Sequence, residues 1–201
     1  MIQFGRWEGE TAVIMASGPS MCKEDADYVR GRANTIVINT TFRLAPWADF
    51  LYSNDHDWME VHLNEIGRTF QGGVVCGHPA YSRDRVVDYV PFDKEACGLK
   101  AAKGHIAWGM NSGAAALSFA HKMGAKRIIM LGYDQDWTGG RPRWHGRHPG
   151  QLQNQKPGFH RWAGWFEQAA LDAKELGVEI INCSRETTLT CFDRLALMDA
   201  I

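Results

Sequence analysis

A doubly wound, mainly parallel α/β sheet with helices on both faces is the fold this sequence predicts, and three observations predict it. Short continuous apolar runs recur along the chain, each about the length of a buried strand. Helix-patterned stretches alternate with them at the spacing of βαβ units. The residues immediately after four of the runs are small and polar or acidic, and ligands bind outside the carboxyl ends of strands in such sheets. Together these give a Rossmann-like architecture.

The elements follow in order. Thr11-Ala12-Val13-Ile14-Met15-Ala16 is the first strand, ending in Ser17-Gly18-Pro19-Ser20, with a polar helix over 23–30. Thr35-Ile36-Val37-Ile38 is the second, closed by Asn39-Thr40-Thr41. Asp49-Phe50-Leu51-Tyr52-Ser53 is the third, followed by Asn54-Asp55 and a helix over 57–66. Weaker strands lie at 73–76 and 86–90. An alanine-rich helix over 112–123 is capped by Asn111 or Ser112 and stopped by Gly124. Arg127-Ile128-Ile129-Met130-Leu131 is a further buried strand. A polar loop at 132–158 is long enough to serve as a lid or binding loop. A long amphipathic helix over 159–176 ends at Gly177, and a last strand covers 178–181. The tail has room for one short helix. No repeat or linker interrupts residues 1–201, so the expectation is a single domain.

Composition narrows the function. The 201 residues are 45% hydrophobic and 22% charged, as in a soluble globule rather than a disordered chain. Lys+Arg 22 against Asp+Glu 23 gives −1, which argues against a general nucleic-acid coat. No apolar run approaches the roughly 18 residues of a membrane span, and the first six residues do not read as a signal peptide. The expected location is the cytoplasm. Cys22, Cys76, Cys97, Cys183 and Cys191 are odd in number and lack a C-x-x-C pair, which disfavours a disulfide framework or zinc knuckle. The 21 glycines and 8 tryptophans suggest loops that approach a ligand closely and aromatic walls to hold it, although much of the tryptophan belongs to core packing.

The strand-end segments carry the candidate chemistry. Gly18-Pro19-Ser20 opens a helix, where amides and the Ser20 hydroxyl suit a phosphate; a plain turn with a serine cap is the alternative. The chain has neither a P-loop nor a G-x-G-x-x-G fingerprint, which disfavours common ATPases and dehydrogenases. Asn39 and Asn54 offer donor and acceptor to a base or sugar, or form Asx-turns. Asn111-Ser112-Gly113 would hold an anion or base edge, or act as an ordinary cap. Asp134-Gln135-Asp136 pairs carboxylates that would take a divalent ion bridging a diphosphate, with Asp134 otherwise an orienter or base. Arg141, Arg143, His145 and His148 form the densest cationic stretch, suited to phosphate or an acceptor; an H-x-x-H zinc site there lacks a third ligand. His160 opens the long helix, whose N-terminus favours a neutral imidazole able to accept a proton.

In this order the residues resemble the Campylobacter-type bacterial sialyltransferases and related phage, prophage and archaeal proteins. Ala16-Ser17-Gly18-Pro19-Ser20 matches that family's Gly-Asn-Gly-Pro-Ser, and Asn39 matches its second-strand asparagine. Asn111-Ser112-Gly113 matches Thr-Ser-Gly, and Leu131-Gly132-Tyr133-Asp134 matches Ser-Gly-Ile-Asp. The spacing of His160, Thr187 and Phe192 matches its catalytic histidine and a later serine and phenylalanine. The likeness runs from Thr11 to Phe192. It implies that Gly18, Ser20, Asn39, Asn54, Ser112 and, by position, Thr187 hold a nucleotide, with His160 as general base and no essential metal. Ser17 departs from the family's asparagine, and Asp136 and the 141–143 region replace its two phosphate-binding tyrosines.

The expected function is therefore transfer of a sugar from a nucleotide-sugar to a hydroxyl of a glycan, a small molecule or a modified base in DNA. An archaeal branch of the same group transfers diphosphate to a hydroxymethylpterin. That alternative would make Asp134 and Asp136 ligands of Mg²⁺, or of Mn²⁺. A third alternative is a phage nucleotide-binding protein without chemistry.

Overall fold

The computed structural model describes residues 2–148, 150, 152 and 158–201. The predicted α/β fold is present. Eight strands form one sheet: β1 (Thr11–Met15), β2 (Asn34–Ile38), β3 (Phe50–Ser53), β4 (Gly73–Cys76), β5 (Val87–Tyr89), β8 (Arg127–Leu131), β9 (Glu179–Asn182) and β10 (Asp193–Arg194). Their order across the sheet is β10-β9-β8-β1-β2-β3-β4-β5, and every pairing is parallel. Two short strands, β6 (Phe92–Asp93) and β7 (Ile106–Ala107), pair separately.

The chain leaves β1, builds outward through β2 to β5, then returns to build β8 to β10 on the other side. The strand order therefore reverses between β1 and β8. Loops diverge at such a switch point and leave a crevice above the strand tips.

Alternation along β1 shows how the two faces are filled. Ala12 and Ile14 join one core and Val13 and Met15 the other. The first core is covered by α3 (Ser112–Lys122) and α4 (Phe159–Leu176), through Leu117, Phe119, Phe166 and Ala169. The second is covered by α1 (Lys23–Val29), α2 (His56–Thr69) and the short α5 (Leu197–Ala200), through Val29, Trp58, Ile66 and Leu197. Residues 113–120 of α3 are buried without exception, so the helix runs inside the protein rather than along its surface. Its alanines permit that close approach, and Phe119 fills the remaining space against Phe50 and Tyr52.

Helix ends follow the sequence signals. Asp55 caps α2 by accepting from the Trp58 amide, and Asn111 Oδ1 caps α3 by accepting from Gly113 and Ala114. Gly177 ends α4 in the left-handed region at φ 62°. The weak strand expected at 86–90 is an edge strand of three residues, and Asn39 continues into a 3-10 turn (Asn39–Arg43) instead of a simple loop. β6, β7 and β10 were not expected. Each is only two residues long, too short for periodicity to register.

Among the described residues, no helix is long and apolar enough to cross a membrane. All five cysteines are free thiols.

Candidate functional site

A cavity of about 470 Å³ opens above the switch point. Its walls come from the tips of β1 (Ala16, Ser17, Gly18), β2 (Ile38, Asn39), β3 (Asn54, Asp55) and β8 (Gly132, Tyr133, Gln135). Asn111, Ser112 and Gly113 at the start of α3 close one side, and Arg143 and His148 reach in from the long loop. Trp108, Phe159 and Trp162 supply aromatic surface. Four separate strand ends, the first turn of a helix and part of one loop thus meet at one place.

The structure brings together Gly18, Asn39, Asn54, Asn111, Ser112, Gly113, Arg143 and His148 from among the residues singled out by sequence. Several of them also build the wall. Ser112 Oγ accepts from the Asn54 amide at 3.0 Å, and Asn54 Nδ2 donates to the Trp108 carbonyl at 3.2 Å. Tyr52 donates its hydroxyl to Asn54 Oδ1. Asn54 is therefore the joint between β3, the approach to α3 and α3 itself.

Asn39 is different. It adopts φ 49°, and its buried Oδ1 has no hydrogen-bond partner among the described residues.

Pro19, Ser20 and Thr187 do not line the cavity. Ser20 donates its amide to Asp134 Oδ2 at 2.9 Å and its hydroxyl to Oδ1 at 2.7 Å, so neither group faces an incoming phosphate. Thr187 Oγ1 donates to the Tyr133 carbonyl at 2.7 Å and accepts from Asn182 and from the Leu189 amide. Its hydroxyl braces the β8 tip from behind.

Asp134 is 1% exposed, and its carboxylate also accepts from Thr138 Oγ1 at 2.9 Å. Burial raises its pKa above the usual carboxylate value, partly offset by these hydrogen bonds. It clamps the β1 turn to the β8 loop. Asp136 is exposed and accepts from the Trp137 amide at 2.7 Å. With Asp134 enclosed in this way and Asp136 turned outward, the pair does not fit the joint metal coordination expected of the D-x-D triplet. Among the described residues no three His, Cys, Asp or Glu side chains gather as metal ligands.

The expected cationic stretch is only partly cationic. Burial, reinforced by neighbouring histidines and arginines, pushes His145 down to about 3, and burial with Arg143 nearby pushes His148 down to about 4. Both imidazoles are neutral at pH 7, with centroids 4.9 Å apart. Of the expected cationic residues it is Arg143 that lines the cavity as a charged group, with Asp55 in the same lining, and desolvation lowers its pKa from the usual arginine value, partly offset by Asp55. Arg141 is exposed and lies outside the lining.

The loop is fastened at Trp144, whose Nε1 donates to Thr41 Oγ1 at 3.2 Å and whose amide donates to the Ser17 carbonyl at 3.1 Å. Part of the expected 132–158 lid, at 149, 151 and 153–157, lies outside the described residues.

His160 is exposed in the first turn of α4 and is not part of the lining, whereas its neighbours Phe159 and Trp162 are. Sequence reasoning did not single out Gln135 for itself, nor Trp108, Tyr133 or Trp162. Position after a strand was the available signal for Gln135, and glycine-flanked tryptophan for Trp108. Tyr133 is fully buried between the sheet and Phe166 and donates its hydroxyl to the Gly113 carbonyl at 3.0 Å, tying β8 to α3.

No protein-family model, no curated protein and no solved structure matches the chain.

Proposed function

We propose that the chain is a nucleotide-dependent transferase that moves a sugar from a nucleotide-sugar donor to an acceptor hydroxyl. One observation carries this reading: the cavity sits at the β1/β8 switch point and is walled by small residues and amides from four strand tips. Doubly wound sheets bind nucleotides at that position. The volume of about 470 Å³ falls in the usual range for a small-molecule site, and Trp108, Phe159 and Trp162 offer flat apolar surface to a base or sugar ring.

In the proposed reaction an acceptor hydroxyl gives its proton to the His160 imidazole. Its oxygen bonds to the sugar carbon as the bond from that carbon to the phosphate oxygen breaks. The nucleotide phosphate leaves with the electron pair, and Arg143 balances its charge. His160 is exposed next to Phe159, which lines the cavity, and its assignment as base rests on the family resemblance. Neither Asp134 nor Asp136 is arranged to bring a divalent ion into the step, and the pterin-type diphosphate transfer gains no support from the geometry.

Thermal shift with CMP, UDP, GDP and ATP, each with and without Mn²⁺, tests the nucleotide. At least one should raise the melting temperature in a concentration-dependent way, and no response to any would refute the reading. Once a donor is found, His160→Ala should slow transfer by about 10²–10⁴-fold. Unchanged turnover would remove His160 from the mechanism.

A further inference from the structure

Three non-glycine residues of the described chain occupy the left-handed backbone region: Asn39 (φ 49°), Met110 (φ 46°) and Gln135 (φ 54°). All three line the same cavity. A residue with a Cβ disfavours this conformation, and it persists where the surroundings impose it, often at ligand sites. Two of the three share a second anomaly. Asn39 Oδ1 and Gln135 Oε1 are buried, and neither has a hydrogen-bond partner among the described residues. Buried carbonyl oxygens are normally paired, so these two are acceptors short of a donor.

Their placement is ordered. β1 lies between β2 and β8; Asn39 follows β2 directly, and Gln135 lies four residues beyond the end of β8. The two residues therefore follow the strands on either side of β1, and both line the cavity above its tip. In the dinucleotide-binding kind of doubly wound sheet the ribose is met by an acceptor at the end of the second strand and the phosphate lies over the first, and we carry that arrangement over to this chain, which lacks the glycine fingerprint. A nucleotide laid that way puts its ribose at Asn39. Whatever is attached beyond the phosphate then crosses β1 toward Gln135.

The geometry points to Gln135 as the residue that reads the transferred group, its Oε1 accepting a hydrogen bond from a hydroxyl or amide N–H of a sugar, while Asn39 Oδ1 accepts from the ribose. This assignment rests on the nucleotide reading and adds to it a division of labour across β1. Gln135 has no reason to affect a nucleotide that lacks the sugar.

The test is calorimetric titration with CMP, UDP and GDP and with their sugar-linked forms CMP-N-acetylneuraminate, UDP-glucose and GDP-mannose. Gln135→Met keeps the length of the side chain and removes the acceptor. Gln135→Gly removes it while relaxing the backbone, and serves if the methionine variant folds poorly. Either variant should lose about tenfold in affinity for the sugar-linked compound and keep its affinity for the nucleotide alone. Asn39→Gly should weaken both. Equal loss for both forms in the Gln135 variants, or no loss, overturns the assignment and leaves the nucleotide reading in place. A wild-type protein that takes ATP but none of the six compounds overturns this assignment and leaves the nucleotide reading in place, and one that takes neither these six nor ATP removes both.

Discussion

A methyl group on Gly18 would fall 2.1 Å from Asp134 Oδ1 and 2.3 Å from the Gly132 carbonyl oxygen. The glycine is there because two loops meet without room for a side chain. Gly18→Ala should therefore cost about 1–3 kcal/mol in urea unfolding and pry Asp134 from Ser20. At this scale the sequence was an uneven guide. It marked Gly18, Asn39 and Ser112 by their position after strands or before a helix, and those positions line the cavity. It marked Ser20 by the same logic and Thr187 by the family resemblance, yet their hydroxyls are engaged with Asp134 and with Tyr133. Position along the chain says that a side chain is near the strand tips. It does not say which partner claims its hydrogen bond, because the competitors come from more than 50 residues away.

The loop that carries Arg143 and Trp144 is an element whose stability should depend on pH. His145 and His148 have folded pKa values of about 3 and about 4, against about 6.5 in an unfolded chain. The unfolded chain binds more protons below that value, so the loop's contribution is present above about pH 6.5 and lost as pH falls toward 4 and then 3. Melting temperature measured from pH 7.5 to 4.5 should fall, and His148→Phe should flatten the dependence. Trp144→Ala should loosen the same loop and raise amide exchange over residues 138–148, since it deletes the bond to Thr41. The buried helix α3 answers to packing instead. Phe119, fully buried against Phe50 and Tyr52, should cost about 3–5 kcal/mol when changed to alanine. α3 and α4 were legible because alanine content, an asparagine cap and a left-handed glycine are local signals. The charge state of the histidines was not, because it depends on burial by residues distant in sequence.

At the scale of the whole molecule, the proposed nucleotide site would couple binding to folding through the switch point. A nucleotide held by the tips of β1, β2 and β8 binds only the folded chain, and at 100 times its dissociation constant it should add about 2.7 kcal/mol to the unfolding free energy. Denaturation with and without the nucleotide that gives the largest thermal shift checks this. Apolar runs, caps and glycine stops act over a few residues, so the alternation of strands and helices, the parallel sheet and the set of strand tips were legible from the residues alone. Packing decided which tip residues face inward, left Asn39 Oδ1 and Gln135 Oε1 without a donor among the described residues, enclosed Asp134 and set His160 in solvent. Those outcomes depend on hydrogen-bond partners and desolvation, which arise only when distant segments are packed together.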